Sequence, residues 1–416
     1  MGAWVLVWVV GLRAGFGADS SDTIVRYLER YHQLGEKDVA GRLALADWCS
    51  GNEMFQQQAD LLTEVLKLDP KHAAAYRDLL EVDGKRSRAV EGQWAGKLSE
   101  LFGPSLRLYH APHFTLVTDT GEPTAAIQGQ AMEETYRSFY VECVAIGLRP
   151  MPPEGRLVCV LFEQYEGYVD YLERFEGMKA GWASGYYSWR TNRVAFFHDR
   201  DNPVFKEVRE QIAGVEQRIG ELRSEMQTAT ATARRIEIQE QLKRLNAQVT
   251  DLNGRLTSAS RLATLGKTRH EATHQLLYNS GLLRRGREYP FWLSEGLAMC
   301  FELCDAEGHA GPKFVNRYRL RSYRDAEKAG QLHKLGQLIR EQPGDGEDVT
   351  GVARRYAEAW ALVQFLWNKR PEELRSYVET MNADGGGGDA AGHFCVYFGE
   401  DMEAIERQLR KYVDSL

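Results

Sequence analysis

The sequence predicts an α+β protein built around a sheet-bearing layer and a mostly helical metal-binding part. Three observations carry that reading. Runs of β-branched and apolar residues bounded by turn residues concentrate between about 105 and 200, and helical patterns follow them. Apolar residues at heptad spacing fill most of 205–262. From about 263 to the end the pattern is mostly helical, interrupted by loops.

Composition narrows the class. At 416 residues the chain is long for one ordinary domain and points to two or three. Hydrophobic residues make up 43% and charged residues 27%, which excludes wholesale disorder and a polytopic membrane protein. The balance of 52 Lys and Arg against 59 Asp and Glu leaves a net charge of −7, so no basic field covers the chain and nucleic acid is not the expected partner.

The elements follow in order. Residues 1–17 read as a signal peptide: the apolar run from Ala3 to Leu12 is too short to span a bilayer, and Gly15 and Gly17 precede a mature chain starting at Ala18. No Lys or Arg precedes that run, so an upstream start and a buried strand are the alternatives. The expectation is an exported protein, periplasmic, cell-surface or secreted, with no stable membrane span. The six cysteines permit disulfides there, but not in the spacing of a small stapled domain. Cys300 and Cys304, four apart on an expected helix, are either a metal pair or two small buried residues.

Residues 18–100 read as helical. Ile24, Tyr27, Leu28 and Tyr31 share a face; two further helices meet near Ser50-Gly51-Asn52, Asp69-Pro70 ends the second, and another starts around His72. The order of helix, turn, helix and Pro resembles a tetratricopeptide-type unit, with a generic helical cap as the alternative. Residues 105–203 form the α/β part. Strands are expected at His113–Thr118 and Arg156–Phe162, helices at Ala126–Val144 and Tyr165–Phe175, and a hairpin around Arg190-Thr191-Asn192-Arg193. Phe196 and Phe197 are candidates for an edge strand along a cleft. Residues 204–262 carry Val208, Ile212, Val215, Ile219, Leu222 and Met226, then Leu242, Leu245, Val249, Leu252 and Leu256, with a polar break around 228–233. Two heptad runs separated by a break predict an antiparallel coiled-coil hairpin. Its charges are either a solvated face or a surface for a protein partner. Residues 263–416 form the metal-binding helical part, with loops at 342–348 and 384–389 and a final helix over 401–412.

One segment dominates the chemistry. His270-Glu271-Ala272-Thr273-His274 places two imidazoles four residues apart, on one face of a helix, where they can hold a single zinc ion. Glu271 lies beside that spot and is suited to take a proton from water. Asn279 and Gly281 offer a helix end. The bland alternative is a helix with two surface histidines. Trp292-Leu293-Ser294-Glu295-Gly296-Leu297 then supplies Glu295 from a second helix, 21 positions after His274. Two histidines and a carboxylate leave a position open for water, the catalytic zinc arrangement. Trp292, Leu293, Leu297 and Phe301 would pack that helix into the core.

HEATHQL followed by WLSEGLAMCFE resembles the gluzincin-type metallopeptidases and, more closely, the bacterial peptidase-like family catalogued as domain of unknown function 1570. The resemblance covers roughly 105–416. It implies one Zn²⁺ per chain on His270, His274 and Glu295, and Glu271 as general base. Several gluzincins place an acidic residue four positions after the ligand glutamate to orient a zinc histidine. Here Met299 stands there, and Glu302, Thr273 or a backbone carbonyl is left for that role. The resemblance also implies Tyr356 as the donor to the oxyanion, much as a transition-state tyrosine serves gluzincin aminopeptidases. His333 is the second candidate donor, and packing with Trp360, Val363 and Leu366 is the alternative for Tyr356. His110, His113, His198 and His393 show no pattern.

The expectation is therefore a zinc-dependent metallopeptidase that acts on a peptide or protein substrate. Two alternatives stand. One is a catalytically inactive, metal-bound scaffold that uses the helical N-terminus and the hairpin to dock a partner. The other is a zinc hydrolase of non-peptide amides.

Overall fold

The computed structural model describes residues 18–85, 106–178, 184–340, 349–383 and 390–416. The expected signal peptide, the end of the predicted N-terminal helical region at 86–100, and the predicted loops at 342–348 and 384–389 lie outside the described residues. Two compact units divide between residues 89 and 90.

The N-terminal unit holds four described helices: α1 (Ala18–His32), α2 (Val39–Gly51), α3 (Phe55–Leu68) and α4 (Ala73–Asp83). Local chemistry sets their limits. Asp38 caps α2 by accepting from the Gly41 amide at 2.8 Å, and His72 Nδ1 caps α4 by accepting from Ala75 at 3.1 Å. Leu45, Leu61, Leu62, Val65 and Leu79 form the buried seam. Tyr31 and Arg42 both hold Glu64, at 2.7 Å each, which ties the first three helices together.

The second unit begins with a five-stranded mixed sheet. Its elements are β1 (Arg107–His110), β2 (Phe114–Thr118), α5 (Glu122–Ala145), β3 (Leu157–Phe162), α6 (Tyr165–Tyr171), β4 (Gly185–Ser188) and β5 (Arg193–Phe197). The spatial order is β1-β2-β3-β5-β4, parallel from β2 through β3 to β5, with antiparallel strands at both edges. Every residue of β2, β3 and β5 is buried, as expected of parallel strands covered on both faces. Val117, Val158, Val160 and Phe162 pack with Tyr168 and Tyr171 of α6 on one face. Helix α5 packs against β1 and β2.

One expectation is corrected here. Phe196 and Phe197 lie on β5, inside the sheet; the edge strand beside them is β4. The sheet also contains β1, whose four residues, Arg-Leu-Tyr-His, are exposed or half-buried and carry no apolar alternation. Its pairing with β2, not its own pattern, makes it a strand.

The hairpin follows as α7 (Lys206–Thr228) and α8 (Thr232–Asn279), which fold back on each other around 229–231. Ile212, Ile219, Leu222, Ile238 and Leu256 are buried, and Arg234 bridges the turn to Glu225 at 2.6 Å. Helix α8 does not stop at the expected boundary near 262. It continues without a break for 48 residues and carries the His-Glu motif in its last turns.

The rest is helical: α9 (Phe291–Met299), α10 (Arg317–Lys328), α11 (Leu335–Arg340), α12 (Val349–Lys369), α13 (Pro371–Ala383), α14 (Ala390–Phe398) and α15 (Met402–Asp414). Trp292, Trp360, Leu366, Tyr377 and Phe394 fill the core between them. Helix α9 ends at Met299, so Phe301 is buried beyond the helix rather than on it. Cys300 and Cys304 do not share a helix either. All six cysteines are free, Cys300 is buried, and Cys304 sits in an isolated β-bridge with Ala310. No described helix is long and apolar enough to cross a membrane.

Candidate metal centre

Helix α8 reaches the site as a buried rod. Gln275 Nε2 donates to the Val158 carbonyl of β3 at 3.0 Å, and Asn279 Nδ2 donates to Asn192 Oδ1 in the β4–β5 turn at 2.8 Å. Lys267 Nζ donates to the Phe197 carbonyl at 2.8 Å and pairs with Asp199 at 2.9 Å. Thr268 Oγ1 donates to Gln128 of α5 at 2.7 Å. The helix ends at Asn279, and the chain turns through Gly281 at φ 80° and Gly286 at φ 81°, a region glycine occupies at no steric cost.

The chain then returns as α9, which lies hard against α12. A Cβ on Gly296 would stand 2.6 Å from the Ala359 carbonyl oxygen and 2.5 Å from Val363 Cγ2. Only glycine permits that approach, and it seats Glu295 next to the histidines.

His270, His274 and Glu295 converge. His270 Nε2 lies 3.1 Å from His274 Nε2 and 3.1 Å from Glu295 Oε2, and His274 Nε2 lies 3.2 Å from Glu295 Oε1. Tetrahedral ligands about 2.05 Å from a zinc ion are spaced about 3.3 Å apart, so all three edges fit one small ion. These residues form a group whose ligand atoms all lie within 4.8 Å of one another.

The surroundings orient the histidines. Glu302 Oε1 faces His270 Nδ1 at 3.1 Å, a contact that favours a proton on Nδ1 and would leave Nε2 to face a metal ion. Glu302 is fixed in turn by Asn316 Nδ2 at 2.8 Å and by Arg319, whose Nη2 donates at 2.6 Å. Glu302 reaches the ring from the turn after α9. Thr273 is not the partner: its hydroxyl donates to Arg269 O of its own helix at 2.7 Å. The sequence left Asn316 and Arg319 unmarked, and the only signal was their helix start close behind the motif.

The electrostatics favour a cation. Burial opposes charge on His270, yet the Glu295 and Glu302 carboxylates hold its pKa up at about 10. Burial likewise opposes charge on Glu295, and the two histidines outweigh it and hold that carboxyl well below its usual range. A site that holds a proton this firmly offers the same negative field to a metal, and metal would displace the proton. Burial raises the pKa of Glu271 against the pull of His270 and His274. A raised carboxyl is the better proton acceptor near neutral pH.

Tyr356 lies at the same site, in the interior of α12. Its ring centroid is 6.5 Å from that of His270, it meets Phe291 edge-on at 5.2 Å, and Arg319 stands over it at 5.4 Å. Burial, then Glu295 and Glu271, push its hydroxyl pKa well up, so it remains a proton donor. His333 is engaged elsewhere: its Nδ1 faces Glu358 at 2.7 Å and Arg354 approaches its Nε2 at 3.5 Å. His113 pairs with Glu133, and His198 caps a short turn.

Residues 263–384 match the family described as a protein of unknown function (DUF1570). The matched segment holds both histidines, Glu271, Glu295, Glu302 and Tyr356. It is narrower than the stretch from 105 expected from the sequence, and it leaves out the sheet and most of the hairpin. No curated protein matches the chain.

Proposed function

We propose that this chain is an exported zinc-dependent metallopeptidase of the gluzincin type. In this reading the hairpin is a coiled-coil arm and the N-terminal helices are a tetratricopeptide-like module. The observation that carries it is the triangle of His270, His274 and Glu295, sized for a tetrahedral ion, with Glu271 beside it. Zinc held there would supply a Lewis-acidic centre that brings the pKa of a water to near 7. Glu271 takes a proton from the attacking water at its carboxylate. It then passes that proton to the leaving amine as the C–N bond breaks. The Tyr356 hydroxyl donates to the carbonyl oxygen as negative charge gathers on it. Glu302 keeps His270 in one tautomer and orientation throughout.

The test has two arms. Elemental analysis should find about one zinc per chain in the protein and little in His274→Ala. A peptide library should show cleavage that falls about 10²- to 10⁴-fold in Glu271→Gln while zinc is retained. No zinc in either protein after metal loading would overturn the reading. Zinc without peptide cleavage would shift it to the inert scaffold or to a hydrolase of non-peptide amides.

A further inference from the structure

Glu271 accepts no hydrogen bond among the described residues, although it is buried. Charge from His270 and His274 draws its carboxylate, and without a hydrogen bond to fix the direction, packing sets where it stands. Part of that packing is backbone: the edge strand β4 crosses α8 at Gly185. A Cβ at Gly185 would stand 3.0 Å from Glu271 Cγ, 3.0 Å from Glu271 Oε1 and 3.0 Å from Lys267 Cγ. Optimal separations for carbon are about 3.5–4.0 Å, so something would have to give by a few tenths of an ångström.

Lys267 is poorly placed to give way. Its ammonium is held by the Phe197 carbonyl and by Asp199, and both side chains of that pair are almost fully buried. The Glu271 carboxylate has no such anchor. An added methyl group would therefore displace Glu271 and leave Lys267 in place.

We propose that Gly185 is a positioning residue for Glu271. The missing side chain lets the edge strand close directly on the carboxylate and hold it beside His270 and His274. The strand does this by contact, where a hydrogen bond would hold the carboxylate but also compete for the lone pair that takes the proton. This inference rests on Glu271 being the general base, and it adds the reason the base stays in place.

The experiment compares Gly185→Ala in the parent protein and in Glu271→Ala, each loaded with cobalt(II) in place of zinc. Gly214→Ala, whose Cβ would meet nothing within 4 Å, is the control. Gly185→Ala should keep its metal, change the visible cobalt spectrum, and lose about tenfold in kcat with KM nearly unchanged. In Glu271→Ala the same substitution should leave the spectrum as it was. An unchanged spectrum in the parent, or an equal change in both backgrounds, overturns the proposal, because the methyl group would then act on nothing or on the helix as a whole. If Gly185→Ala alone fails to fold, recovery of folding in the Gly185→Ala/Glu271→Ala pair supports the clash and continued failure overturns it. A protein that binds cobalt but cleaves no peptide loses the peptidase reading, while the spectra still decide the role of Gly185.

Discussion

Helix α8 starts in an arm where most of its charged side chains face water and ends where ten consecutive residues, Thr268 to Leu277, are buried. Both halves are equally helical and both carry ion pairs. In the arm, Arg255 and Asp251 meet at 3.0 Å with side chains 75% and 58% exposed. Twelve residues further on, Lys267 and Asp199 meet at 2.9 Å with side chains 6% and 3% exposed. The first pair exchanges water for a partner and gains almost nothing. The second has no water to return to, so loss of either member leaves a buried charge. The same secondary structure thus makes charge nearly irrelevant at one end and decisive at the other. At the site end Lys267, Thr268 and Gln275 each donate to a partner from another element.

Substitutions can break or sharpen this contrast. The largest effect is expected from Lys267→Met, which should cost about 3–5 kcal/mol in chemical denaturation. A loss of under about 1 kcal/mol would mean that the base of the arm is wet, and the contrast would collapse. Next, Tyr356→Phe should keep its metal and lower kcat about 10²-fold. Unchanged turnover would remove Tyr356 from the reaction and leave it as packing for Phe291 and Arg319. Glu302→Gln should weaken metal affinity about 10- to 100-fold in a competition titration with a chelator, since Gln orients the His270 ring without the charge. Equal affinity would show that Asn316 and Arg319, not His270, are the groups Glu302 serves. The smallest effect belongs to the arm: Arg255→Ala should leave both the denaturation midpoint and the metal content where they were.

Much of this contrast was legible beforehand, and the rest shows what local pattern omits. The breaks at Gly51, Pro70 and Asn279 fall where turn and cap residues announce them, because those preferences act over a few residues, and the break around 229–231 falls where the heptad spacing lapses. The two histidines are recognisable because helical spacing puts four-apart residues on one face, and Glu295 because a second motif, Trp292-Leu293-Ser294-Glu295-Gly296, follows 21 positions after His274. Strand β1 was invisible, since Arg107 to His110 is a strand only by pairing with β2. Phe196 and Phe197 looked like an edge for the opposite reason: aromatic, β-branched sequence suits any strand, and only topology says which strand is outermost. The residues alone carry the helix of Glu295 past Phe301, because nothing in them marks the stop at Met299. That stop lets Glu302 swing round to His270 Nδ1.

The sequence by itself determined what is periodic and near: the helices, the heptad arm, and the pair of imidazoles with a carboxylate between them. Tertiary structure alone decided which distant groups complete them. Gln128 meets Thr268 across 140 positions, Asp199 meets Lys267 across the whole arm, and Gly185 closes on Glu271 from the edge strand β4. Helical spacing is a property of a few consecutive bonds and is written in the order of residues. Partners in space depend on how sheet and helices stack, which no stretch of neighbouring residues specifies.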